Sequence, residues 1–217
     1  MPIQVFDYRT DVRNVFISPE IRSRFQRLEP GTVTPLHSHD LGHEVWVVME
    51  GEVEFEIAGE RAVVRPGQMI FAEVDEPHVL RVVGEHPATV YLSVTPHVTP
   101  THTFWDESGE RLPPRYSRFT TRREGEPEAM PETEPIESLA DRQAAAARGV
   151  SEVAESSARD QAAAAEELKR ALAAGDAAGA KAAVDAMWAQ VAATYHSVRE
   201  MVVVWNELAP RAAPPSS

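Results

Sequence analysis

The 217-residue chain has no cysteine. Disulfides, thiolate metal sites and a cysteine nucleophile are therefore excluded, and a metal could be held only by nitrogen and oxygen ligands. Long apolar runs are missing too: none approaches the roughly 20 residues of a membrane-spanning helix. The first residues, MPIQVFDYRTDVRN, lack the apolar centre of a secretory leader. A cytoplasmic protein without a membrane partner is expected. Basic residues are scarce, 21 Lys and Arg against 34 Asp and Glu, for a net charge of −13. The excess lies toward the front, where residues 1–110 hold 18 acids against 8 bases, while residues 111–217 hold 16 against 13. So acidic a body repels phosphate backbones, which argues against a nucleic-acid partner. One basic stretch, RLPPRYSRFTTRR with Arg111, Arg115, Arg118, Arg122 and Arg123, reads either as an anion holder or as a linker docking on the acidic body. No Gly-x-Ser-x-Gly elbow, phosphate loop or dinucleotide fingerprint is present.

What is present is globular in composition, 43% hydrophobic and 25% charged, and long enough for one ordinary domain plus an extension. Residues 1–105 read as short strands broken by Gly and Pro: IQVFDY, RNVFIS, SRFQRL, HEVWVVM, EVEFEI, RAVVR, MIFA, HVLRVV and ATVYLSV. EVEFEI is the clearest, with Glu52, Glu54 and Glu56 on a wet face and Val53, Phe55 and Ile57 on a buried one. Turn signals every 8 to 12 residues or so suit a sandwich or barrel. Residues 106–135 are polar and Pro-rich, a linker.

Residues 136–209 change character. An Ala-rich stretch without internal proline predicts a helix from Ile136 to a stop at Gly175-Asp176, roughly 55–60 Å long. A second helix is predicted from about Ala177 to Leu208. Its apolar positions Val184, Met187, Val191, Thr194, Val198, Met201, Trp205 and Leu208 follow heptad steps. The first helix keeps that rhythm through Ile136, Leu139, Gln143, Ala146, Val150, Val153 and Ser157, then slips to Gln161, Ala165, Leu168 and Leu172. An antiparallel hairpin with an Ala-lined seam is expected. Trp188, Trp205, Met201 and residues 202–204 exceed what one partner helix covers, so the surplus either pairs with a second copy, giving a homodimer, or packs on the β half. Tyr195 and His196 read as packing or surface residues.

The chemistry concentrates in GTVTPLHSHDLGHEVWVVMEG, residues 31–51. His37 and His39 are two apart on an extended segment and share a face. After the turn at Asp40-Leu41-Gly42, Glu44, Trp46 and Val48 share one face and His43, Val45 and Val47 the other. If Glu44 faces the same interior as the histidines, three ligands converge, and a carboxylate buried there calls for a cation. His78, leading a strand after the turn Asp75-Glu76-Pro77, is the candidate for a fourth. His86, His97 and His102 lie near strand ends or beyond; His97 and His102 could approach the mouth of a barrel, though nothing in their spacing demands it.

Gly31-x5-His37-x-His39-x4-Glu44-x6-Gly51 resembles the first motif of the cupin superfamily at every defined position. Gly59, Pro66-Gly67 and Pro77-His78 resemble its second motif, without the asparagine often found near its end. The resemblance covers roughly residues 20–96, and neither linker nor hairpin belongs to the usual pattern. It implies a mainly β jelly-roll barrel with a divalent transition metal (Fe, Mn, Ni, Co or Zn) on His37, His39, Glu44 and His78, and about two coordination positions left open. Trp46 would form part of a pocket wall for a small-molecule substrate. The activity implied is a metal-dependent enzyme, dioxygenase-type oxidation first and isomerase or lyase chemistry second. The rival reading is a sensor or binding protein in which the hairpin is an interaction module.

Overall fold

The computed structural model describes residues 3–106, 108–121 and 134–213, and among these it contains ten strands and two helices. The strands are β1 (Asn14–Ile17), β2 (Arg22–Leu28), β3 (His37–Ser38), β4 (His43–Glu50), β5 (Glu52–Ile57), β6 (Glu60–Val64), β7 (Met69–Ala72), β8 (His78–Val83), β9 (Ala88–Thr95) and β10 (Thr103–Phe104). They form two antiparallel five-stranded sheets, ordered β1-β2-β9-β4-β7 and β10-β3-β8-β5-β6, the jelly-roll arrangement that the resemblance implied. Eight of the nine expected segments are strands. IQVFDY is not: Ile3 and Val5 are almost fully exposed, and the chain turns instead at residues 8–10. There the Asp11 carboxylate accepts the Asp7 N–H at 3.0 Å, so side chains take backbone bonds that a ladder would have needed. Strands β3 and β10, two residues each, are too short to show any periodicity.

The sheets enclose a core of Leu28, Trp46, Val48, Val53, Phe55, Val64, Ala72, Leu80, Val82, Ala88, Val90 and Leu92. On β5 the alternation is as expected, with Val53 and Phe55 fully buried. Glu54 and Glu56, on the opposite face, pair with Arg81 of β8 and Arg61 of β6. Gly51 joins β4 to β5 at φ +73, and a Cβ there would lie 2.6 Å from the Pro87 carbonyl, so both conformation and space demand glycine.

The chain divides into two units, Met1–Glu132 with Ala209–Ser217, and Thr133–Leu208. Residues 122–133 of the expected linker, with Arg122 and Arg123, lie outside the described residues. The part before them docks on the barrel: Arg111 pairs with Asp40, the Arg115 guanidinium lies 5.1 Å from the Phe104 ring, and Thr120 and Thr121 carbonyls accept bonds from Asn14 and Arg13.

The second unit is built by α1 (Ile136–Ala174) and α2 (Ala177–Ala212) as far as Leu208, and α2 itself runs on past its expected end through Pro210. Gly175 closes α1 in the left-handed conformation, and the Asp176 carboxylate caps α2 by accepting the Gly179 N–H. Ser157 donates to the Gln190 carbonyl and the Gln161 amide to that of Met187, which fixes an antiparallel register. That register sets Ala164 opposite Ala183, and both are buried. Here the expected seam needs correction. Val184, Val191 and Val198 are 50%, 50% and 38% exposed, and Leu172 is 65% exposed. Met187, Thr194 and Met201 of the expected seam are partly covered, but the valines give way to Ala183, Gln190 and Ser197, each one residue back. Small and amide side chains let the two backbones approach closely enough for these carbonyl bonds, which a valine seam would hold apart.

Candidate metal centre

Strand pairing assembles the site. His37 on β3 lies directly opposite His78 on β8 and, on its other side, opposite Phe104 of β10. Glu44 comes from the facing sheet, where β4 sits between β7 and β9. Along β4, Glu44, Trp46 and Val48 are buried while His43 is exposed. The strand therefore carries its carboxylate inward and His43 outward, as its parity requires.

His37, His39, Glu44 and His78 are all buried, and one ligand atom from each lies within 4.8 Å of every other. Glu44 Oε2 is 2.7 Å from His39 Nε2, 3.2 Å from His78 Nε2 and 3.8 Å from His37 Nε2. The far side of each ring is committed to the backbone. Nδ1 of His37 donates to the Pro35 carbonyl at 2.9 Å, Nδ1 of His78 to that of Glu76 at 2.8 Å, and Nδ1 of His39 to that of Thr101. A neutral imidazole has one N–H, so spending it on Nδ1 leaves a lone pair on Nε2. Three lone pairs and a carboxylate thus converge, with His37 and His78 Nε2 only 3.1 Å apart. Acceptors at such distances repel unless a cation lies among them. The donor set fits a divalent transition ion, with carbonyls as the outer partners that orient imidazole ligands. Burial pushes the Glu44 carboxyl up, but with no cation among them, protons carried on the facing imidazole nitrogens outweigh burial and hold it well below the usual carboxylate range. Burial likewise lowers the His78 imidazole.

A cavity of about 210 Å³ opens beside this cluster, lined in part by His37, Glu44 and Trp46. Trp46 is 1% exposed, its ring 5.0 Å from that of His78. Of the two histidines that could approach the barrel mouth, His102 lines the cavity and His97 is buried close to it, while the β2 residues of the wall were not foreseen. His102 sits 5.0 Å, ring to ring, from both His37 and His39, and burial drives its imidazole well below the ordinary range. His97 is buried nearby against Phe119, lowered to about 4 chiefly by burial and then by the Arg22 charge. From β2 come Arg22, Arg24 and Gln26. Burial brings the Arg22 guanidinium down to about 10, still cationic at neutral pH. His86 and His196 are exposed.

The Cupin domain family matches residues 24–95, which include His37, His39, Glu44 and His78. No curated protein matches the chain. Among similar solved structures is TT1209 from Thermus thermophilus, 26% identical over 43% of this chain and 98% of that one, with a TM-score of 0.42. A double-stranded β-helix domain protein from Klebsiella pneumoniae is 19% identical over 49% of this chain and 100% of its own, with a TM-score of 0.45. An oxalate oxidase solved with the substrate analogue glycolate is 25% identical over 39% of this chain and 46% of its own, with a TM-score of 0.36.

Proposed function

The chain carries a cupin domain at residues 24–95, and on that premise we propose that it is a metal-dependent enzyme acting on a small organic molecule. The observation that carries this reading is the set of four convergent acceptors, each imidazole fixed by a backbone carbonyl, at the edge of a cavity of about 210 Å³. His37, His39, Glu44 and His78 hold the ion, and a bound divalent transition metal supplies Lewis-acid or redox chemistry there. Trp46, Leu80 and Leu92 shield the cavity floor from water, and Trp46 backs His78 against the core. His102 faces the same space as a neutral imidazole, able to accept a hydrogen bond from a bound molecule.

Oxidation of the dioxygenase type is the first reading of the reaction, and isomerase or lyase chemistry the second. Metal analysis of protein purified without added metal, followed by oxygen-uptake assays with catechol-like, diketone and hydroxy-acid substrates, tests it. Metal-dependent oxygen consumption supports the dioxygenase. Turnover without oxygen consumption moves the assignment to isomerase or lyase. Metal and ligand binding with no turnover supports the sensor reading, whose one structural support is the hairpin, since every cavity-lining residue belongs to the barrel unit.

A further inference from the structure

Strand β2 carries charge on the wrong face for a solvated strand. Pairing through β9 aligns Arg22 with Val94 and Glu44 in one rung, Arg24 with Leu92 and Trp46 in the next, and Gln26 with Val90 and Val48 in a third. Residues of one rung point to the same side of a sheet, so Arg22 and Arg24 face inward with the core residues. Two strand spacings put the Arg22 backbone about 10 Å from that of Glu44. Arg22 is 2% exposed, and both arginines line the cavity beside the metal cluster.

Neither arginine is neutralised. Nε of each is buried without a hydrogen-bond partner, and among the described residues neither forms an ion pair. Arg22 has only the face of Phe119, 4.6 Å from its guanidinium carbon. The acid whose charge they feel is Glu44, which already has three imidazole nitrogens within 3.8 Å. Buried charge without a partner is costly, and removing a partner from a buried pair is more costly still. A divalent ion on the cluster would add positive charge to the same space. The cavity therefore lacks an anion. The remaining walls, Trp46, Leu80, Leu92, Phe104 and Pro35, are apolar. At about 210 Å³ the space is large enough for a small organic molecule.

Resting on the proposal of a metal-dependent site, we infer that its ligand is a small organic acid. The carboxylate lies against the guanidinium groups of Arg22 and Arg24, the short carbon chain against the apolar walls, and the other end faces the metal cluster. Planar guanidinium forks match a planar carboxylate in two-point contact, whereas inorganic phosphate would leave the apolar walls without a partner.

The test is calorimetric titration of the full chain, with metal content measured on each sample, using malonate, succinate, uncharged succinamide and inorganic phosphate. At least one acid is expected to bind and succinamide is not. Arg22→Gln and Arg24→Gln should each weaken acid binding about tenfold or more while leaving metal content unchanged. Arg24→Lys, which keeps the charge but not the fork, should fall between, and it stands in if a glutamine variant fails to fold. Equal binding of succinate and succinamide, acid binding untouched by the substitutions, or no binding by either acid overturns the inference. Arginine-dependent binding of phosphate in place of the acids overturns the carboxylate assignment. Metal-free protein that still binds acid through these arginines sinks the metal-enzyme proposal and leaves the acid assignment standing.

Discussion

At the scale of single residues, the three imidazoles matter by tautomer as much as by position. Each Nδ1–H is spent on a carbonyl of Pro35, Thr101 or Glu76, so each Nε2 is presented bare. Replacing His37, His39, Glu44 or His78 by Ala should therefore lower metal affinity by more than the about 10–100-fold that loss of an outer partner costs, and empty the purified site. His43→Ala, on the exposed side of β4, should leave occupancy unchanged. Elemental analysis of the five variants decides the matter, and an empty His43→Ala site would contradict the strand parity. His97 gives a pH signature. Its folded pKa of about 4 lies below the ordinary 6.5, so the unfolded chain binds the extra proton between these values. Stability is then full above about pH 6.5 and declines as pH falls toward about 4. Burial of His78 and His102 works in the same direction. Urea midpoints at pH 7 and pH 5 should fall in the parent protein, and fall less in His97→Gln.

At the scale of elements, β5 separates burial from surface charge within one strand. Phe55 is fully buried in the inter-sheet core, and Phe55→Ala should cost about 3–5 kcal/mol. Across the strand, Arg81 meets Glu54 and Glu56 with side chains 25–30% exposed. Such partly wet pairs contribute at most about 1 kcal/mol, so Arg81→Ala should barely shift the curve. Urea denaturation of both variants measures the contrast. Comparable losses would mean that the Glu-Arg network, not the core, holds β5 to β8. Strand β2 shows why an element can be recognised and its orientation missed. Arg, Ser, Arg, Phe, Gln, Arg, Leu alternates equally well with Phe25 inward. Tyr8 and Tyr91 pack edge-on to Phe25 on the outer face and take it out of the core, which turns Arg22 and Arg24 toward the cavity.

For the whole molecule, the open question in the chain's own surface is the stripe along α2. Val184, Trp188, Val191, Tyr195 and Val198 are 50%, 67%, 50%, 57% and 38% exposed, and half-buried Val202 continues their line. The steps between them are four, three, four, three and four, the repeat of a helix-packing seam. That order reads the same in both directions. An antiparallel second copy would set Trp188 against Val198 and Tyr195 against Val191, large against small, as a two-fold interface requires. The stripe predicts a homodimer through a four-helix bundle. Light scattering should find Trp188→Asp smaller than the parent chain, with the same metal content. A monomeric parent would end the idea. No helix among the described residues is long and apolar enough to cross a membrane, so a lipid bilayer does not account for the stripe as a span.

The sequence by itself determined the elements whose pattern is local. Short apolar runs between Gly and Pro turns marked eight strands, Gly175-Asp176 marked the end of the first helix, and the spacing of His37, His39 and Glu44 offered three ligands to one interior, with His78 as the candidate that the cupin resemblance completed. Those residues were legible because a strand fixes which side chains share a face, and three of the four sit within eight positions. Tertiary structure decided which face is inside. For β2 the choice rests on Tyr8 and Tyr91, which are remote in sequence from Arg22 and Arg24. For α2 it rests on α1, since two heptad stripes offset by one residue fit the same helix. Only the close approach set by Ala164 and Ala183 assigns one stripe to the hairpin and leaves the other to solvent. Local periodicity names the members of a face, and only a partner far along the chain says what that face meets.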